Sequence, residues 1–132
     1  LRQKPGPLNA LGGVKFMFPN KFNVYLHDTP SRELFRESVR TFSSGCIRVQ
    51  DTERLAALLL GDKPEWTADA VTAAMTSGRE RTVRLTRAIP VHLQYWTAWS
   101  DEHGGMEFRR DIYGRDKGVL AALSEAPPAG GR

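Results

Sequence analysis

Cys46 is the single cysteine in the chain and directly follows Ser43-Ser44-Gly45. A glycine at that point permits a sharp turn and close backbone approach. A thiol presented at such a bend, beside free backbone N–H groups, suits a nucleophile with an oxyanion pocket. A lone cysteine is also commonly a small buried hydrophobe, so composition leaves both roles open. It excludes an internal disulfide and a multi-cysteine zinc site.

His27 supplies what such a thiol needs. A neutral imidazole in hydrogen-bond reach takes the thiol proton and later protonates a leaving amine. Its plain alternative is a hydrogen-bonded structural histidine. Tyr25 lies two residues earlier, hence on the same face of a strand, where its phenol either donates to a developing oxyanion or simply packs. Arg48 bears the same two-residue relation to Cys46. Its guanidinium suits a substrate carboxylate or a hydrogen-bonded loop. Asp28, adjacent to His27, points to the opposite face of a strand and is a poor partner for it. His92 and His103 lack metal-ligand spacing with carboxylates or Cys46 and read as structural or exposed.

These side chains require elements to hold them. Val14 to Phe18 alternates as a strand would, Pro19-Asn20 stops it, and Phe22 to His27 forms a second strand, which together suggest a hairpin. Ser31 to Phe35 reads as a helical turn, and Cys46 to Val49 as a short strand. Leu55, Leu58 and Leu59 share a helical face between a cap at Asp51 or Thr52 and a stop at Gly61. A second helix opens at Thr67 or Asp69 and ends at Gly78. Arg81 to Leu85 alternates like a half-exposed strand. Ile89 to Trp99 is long and β-prone, with Gly104-Gly105 joining it to Met106–Arg109. About six short strands and two or three helices make a strand-dominated α+β domain.

The 132 residues suffice for about one domain. With 40% hydrophobic and 26% charged residues the chain can bury a core, and no apolar run nears the roughly 20 residues that span a bilayer. The net charge of +4 is mild and dispersed, so no nucleic-acid partner is expected. A basic binding module for wall polymer or nucleic acid, using Trp96 and Trp99, is the alternative from another functional class.

His27-Asp28-Thr29-Pro30 followed by Phe42-Ser43-Ser44-Gly45-Cys46-Ile47-Arg48 resembles the active-site signature of the L,D-transpeptidases, whose catalytic domain is called YkuD. That signature is a His, a gap of about fifteen residues, then Ser/Thr-x-Gly-Cys-x-Asn/Arg. The Ser-Ser-Gly-Cys-x-Arg form, with Lys4–Gly12, Val14-Lys15-Phe16, Tyr95–Trp99 and Asp111–Asp116, is similar to the large proteobacterial, YcbB-like branch. The resemblance implies a YkuD-type mixed sheet or sandwich with short helices. It makes residues 1–118 the C-terminal part of a catalytic domain, lacking the N-terminal strands that the family carries before the Lys4-Pro5 segment. Residues 119–132 become an extension, with a Pro/Gly-rich tail from about 126.

The same resemblance implies a cysteine acyltransferase. Cys46 attacks the diaminopimelate carbonyl of a peptidoglycan tetrapeptide stem, D-alanine leaves, and another stem's amine resolves the thioester as a 3→3 cross-link. His27 is base and acid. The N–H groups of Gly45 and Cys46, with Tyr25, form the oxyanion hole, while Ser43, Ser44 and Arg48 shape the loop and bind substrate. With water as acceptor the same site is an L,D-carboxypeptidase or cross-link hydrolase. Carbapenems are implied as covalent inhibitors, with no metal or organic cofactor needed, and the periplasmic envelope of a Gram-negative bacterium as the location.

Overall fold

The computed structural model describes residues 3–43 and 45–125. Two units divide the chain, Leu1–Val91 and His92–Arg132.

In the first unit, β1 (Lys15–Phe16), β2 (Leu26–His27) and β3 (Ile47–Arg48) form a sheet in that order. β1 and β2 run antiparallel, with Lys15 opposite His27 and Phe16 opposite Leu26. The hairpin is present, but its strands are shorter than the alternation of residues suggests. Asn20 is the reason: its amide donates to the carbonyls of Phe18 and Val24, and its oxygen accepts from the N–H groups of Phe22 and Val24. Backbone groups that would have extended the ladder are satisfied by one side chain instead.

β2 and β3 are parallel, pairing Leu26 with Ile47 and His27 with Arg48. Parallel neighbours cannot be joined by a tight turn, so a crossover must intervene. Here it contains a 3-10 turn, Arg32–Arg36, preceded by an N–H from Ser31 to the Thr29 hydroxyl. This crossover brings Cys46, 19 positions after His27 in sequence, to the bend that leads into β3 beside the strand carrying His27.

Helices α1 (Thr52–Leu59) and α2 (Ala68–Thr76) pack on each other. Asp51 caps α1 in the left-handed region (φ 53°), and its carbonyl accepts the N–H of Leu55. Thr67 caps α2 with its hydroxyl on the Ala70 N–H at 3.2 Å, as its residue type favours. Gly78, at φ +68°, follows α2 in the conformation that glycine adopts without steric cost. Ala56, Leu60, Trp66 and Val71 are the buried apolar core, with Phe16, Ala57, Ala74, Met75 and Val83 against it.

The second unit holds an antiparallel hairpin, β4 (Ala98–Ser100) with β5 (Met106–Phe108), and α3 (Asp116–Ser124). Gly104-Gly105 is its turn, organised by Asp101, whose carboxylate accepts the N–H groups of His103 and Gly105. Tyr95 donates to Asp111 at 2.8 Å, Asp111 also accepts the Asp116 N–H, and the Thr97 hydroxyl donates to Asp116.

Two sheets and three α-helices among the described residues make this a small α+β structure, consistent with a YkuD-type domain. It contains five strands, one fewer than the pattern suggests. Arg81 to Leu85 is not a strand, and of Ile89 to Trp99 only Ala98 and Trp99 fall within one. The apolar alternation is real, but a strand exists only where a ladder partner pairs with it, and residues 81–96 have none among the described residues. Trp96 is accordingly outside any strand and 62% exposed. No helix among the described residues is long and apolar enough to cross a membrane. Residues 126–132, expected as a tail, lie outside the described residues.

Candidate active site

Consecutive strand residues face opposite sides of a sheet, and laterally paired residues face the same side. Phe16 turns toward the helical core, so its neighbour Lys15 and that residue's partners His27 and Arg48 occupy the other side. The Ile47 N–H donates to the Tyr25 carbonyl at 3.1 Å, and the Val49 N–H to the His27 carbonyl at 2.9 Å. This register sets Cys46 beside Tyr25. One face therefore carries Tyr25, His27, Cys46, Arg48 and Lys15.

The Tyr25 and His27 rings lie 5.9 Å apart in a tilted arrangement. The neighbouring Cys46 side chain, first as a hydrogen-bonding partner and then electrostatically, together with desolvation, pushes the Tyr25 phenol above its usual pKa. Cys46 is half-buried and free. His27 is only 5% exposed.

His27 Nδ1 contacts the carbonyl of Asp28. A carbonyl has no proton to give, so Nδ1 carries the hydrogen, and in a neutral ring the lone pair is the one on Nε2. The imidazole is thereby oriented by backbone, not by the carboxylate of its neighbour. Asp28 turns its carboxylate elsewhere, accepting the Gly13 N–H at 2.8 Å and pairing with Arg32 at 3.2 Å. Burial alone would raise the Asp28 pKa; the N–H donors of Gly13 and Thr29 and the Arg32 guanidinium outweigh it and hold the carboxyl below its usual range. Gly12, at φ +61°, allows this approach, since a Cβ there would collide with the Asp28 carboxylate. The Lys4–Gly13 loop is thus tied to the strand end that carries His27.

Ser43 is exposed, and its hydroxyl accepts the Gly45 N–H at 3.2 Å, bracing the bend before Cys46. Ser44 lies outside the described residues. Arg48 is half-buried and makes no ion pair among the described residues. No three of His, Cys, Asp and Glu converge among the described residues in a way that could hold a metal ion.

Lys15 is the site residue that sequence reasoning passes over. Its Nζ sits 3.5 Å from the centroid of the Tyr25 ring, a cation–π contact. A shallow groove of about 180 Å³ adjoins the pair, bounded also by Phe18 and Asn23. The alternation of Val14–Phe18 was a usable signal for its face; its register with His27 was not.

Chemically, the face combines a thiol at a glycine bend, an imidazole held through Nδ1, a phenol and two cations. The family model for the L,D-transpeptidase catalytic domain, YkuD, matches residues 1–74. A Haemophilus influenzae protein named "Putative L,D-transpeptidase" is 39% identical over 122 residues, covering 92% of this chain and 24% of that protein. The chain therefore spans about a quarter of the length of that curated relative.

Proposed function

We propose, on the premise that this chain belongs to the YkuD family of L,D-transpeptidase catalytic domains, that it is a cysteine acyltransferase acting on peptidoglycan stems. The observation that carries the reading is the parallel β2–β3 pair, which sets Cys46 beside Tyr25 and one diagonal step from His27. That diagonal is about 8 Å between strand positions, from a strand spacing of ~4.8 Å and a rise of ~3.3 Å per residue. Side chains projecting from one face close such a gap.

In the proposed reaction His27 Nε2 takes the Cys46 proton, and Sγ bonds to the diaminopimelate carbonyl carbon of a tetrapeptide stem. The carbonyl oxygen becomes an oxyanion, met by the Cys46 N–H, by the Tyr25 hydroxyl, and by the Gly45 N–H as it exchanges the Ser43 hydroxyl for the stronger, charged acceptor. As the C–N bond breaks, the proton on His27 passes to the amine of the departing D-alanine, leaving a thioester. An amine from a second stem then attacks that thioester, gives its proton to His27, and forms the 3→3 cross-link. The proton returns to Sγ. Splitting one acyl transfer into two steps lowers each barrier.

Ser43 and Ser44 would hold the loop, and Arg48 would bind donor substrate. The reaction belongs in the periplasmic cell envelope, where a solitary thiol has no partner with which to form a disulfide. The Ser-Ser-Gly-Cys-Ile-Arg sequence supports a place in the YcbB-like branch. Carbapenems, as strained acyl donors, would acylate the same sulfur.

Intact-mass measurement after carbapenem addition tests this reading. One covalent adduct is expected on the native chain and none on Cys46→Ala. A folded, reduced native chain that takes no adduct overturns it.

A further inference from the structure

We propose that Lys15 is a substrate-binding, specificity-determining residue that recognises the free carboxylate of the amino acid leaving the donor stem. The inference rests on the acyl-transfer reading of Cys46 and His27.

Three observations converge on it. The sheet register makes one lateral row of Lys15, His27 and Arg48, so a cation stands one strand to either side of the base. Each is separated from His27 by roughly 4.8 Å in the hydrogen-bonding direction. The Lys15 ammonium leans over the Tyr25 ring at 3.5 Å, toward the row that holds Cys46. Neither Lys15 nor Arg48 has an ion-pair partner among the described residues, and the adjoining carboxylate, Asp28, is engaged by Gly13 and Arg32. Uncompensated cations around a reacting centre attract an anion.

The chemistry of the leaving group says which anion. His27 must deliver a proton to the departing amine nitrogen, so that nitrogen sits within hydrogen-bond reach of Nε2. In an α-amino acid the carboxyl carbon is two bonds from that nitrogen, about 2.5 Å away. The carboxyl carbon then lies within about 5.5 Å of Nε2, a gap that the long Lys15 side chain on the adjacent strand can span. A charge-assisted bond there favours a donor ending in a free acid over one whose terminus is blocked.

The test compares two tetrapeptide donors in the full chain, one ending in D-alanine and the other in D-alanine carboxamide. Readouts are kcat/KM for release of the terminal residue and, in parallel, the carbapenem adduct on the wild-type chain. The wild type should prefer the acid by about tenfold or more, as expected for losing a hydrogen bond to a charged group. Lys15→Met should bring that ratio toward one, and Lys15→Arg should retain most of it. An active wild type with no preference overturns the inference, as does a Lys15→Met chain with the wild-type ratio. If the adduct forms, either result leaves the acyltransferase reading standing. Absence of both adduct and release overturns that reading and this inference together.

Discussion

The two units of the chain are held by different physics. In Leu1–Val91 the helices α1 and α2 bury Ala56, Leu60, Trp66 and Val71, and the three-stranded sheet lays Phe16 on that core. In His92–Arg132 no described residue is buried, and Trp96, Phe108, Leu120 and Leu123 are exposed. What organises the second unit is polar: the Tyr95–Asp111–Asp116 bonds, the Tyr95–Tyr113 edge contact at 4.8 Å, and Arg115 over both rings. Partial burial and the bond to Asp111 raise the Tyr95 pKa, while the Asp116 N–H leads the donors that lower that of Asp111. The lesson is that residues with reactive side chains sit where apolar burial fixes the backbone, because solvent competes for polar bonds at an exposed surface.

Four substitutions sharpen or break that contrast. His27→Gln should slow acylation by carbapenem about 10²–10⁴-fold, the range for removing a general base. Equal rates in both proteins would remove His27 from the chemistry. Val71→Ala truncates a side chain that is 3% exposed and should cost about 2 kcal/mol in denaturant unfolding of the first unit. A shift near zero would mean the helical core is not what stabilises that unit.

Asp28→Asn removes the ionised acceptor that ties Gly13 and Arg32 to the His27 strand end, costing about 1–3 kcal/mol at neutral pH. Because the folded-state pKa of Asp28 is depressed, its contribution is full above the unfolded carboxylate pKa and is lost as pH falls through the folded value. Wild type and variant should therefore converge in stability in acid, and a gap that persists there would sink the assignment. The smallest effect belongs to Tyr95→Phe. It should speed amide exchange around Asp111–Asp116 while leaving residues 52–76 unchanged, and faster exchange in α1 and α2 would erase the distinction between the units.

Much of this was legible in residue order. Thr67 announces a helix start because a hydroxyl there meets a free N–H, and Gly78 announces its end because glycine takes positive φ without steric cost. Gly104-Gly105 marked the β4–β5 turn. The strand pattern of Ile89–Trp99 misled, since alternation records a side-chain preference and not the presence of a partner. Asn20 shortened the first hairpin by taking backbone bonds that strand periodicity assigns to the ladder. Asp28 was rightly separated from His27 by strand alternation, yet its actual partners, Gly13 and Arg32, come from a loop and a 3-10 turn.

The sequence by itself determined the reactive inventory: one thiol after a glycine, a histidine two residues beyond a tyrosine, and the family to which that spacing belongs. These are local properties, carried by residue type and by the two-residue period of a strand. Only the tertiary structure decided that β2 and β3 pair in parallel, that Cys46 faces Tyr25, and that Lys15 and Arg48 flank His27. Register between strands is set by hydrogen bonds across long sequence separations, and a shift of one residue would have turned every one of these side chains to the other face.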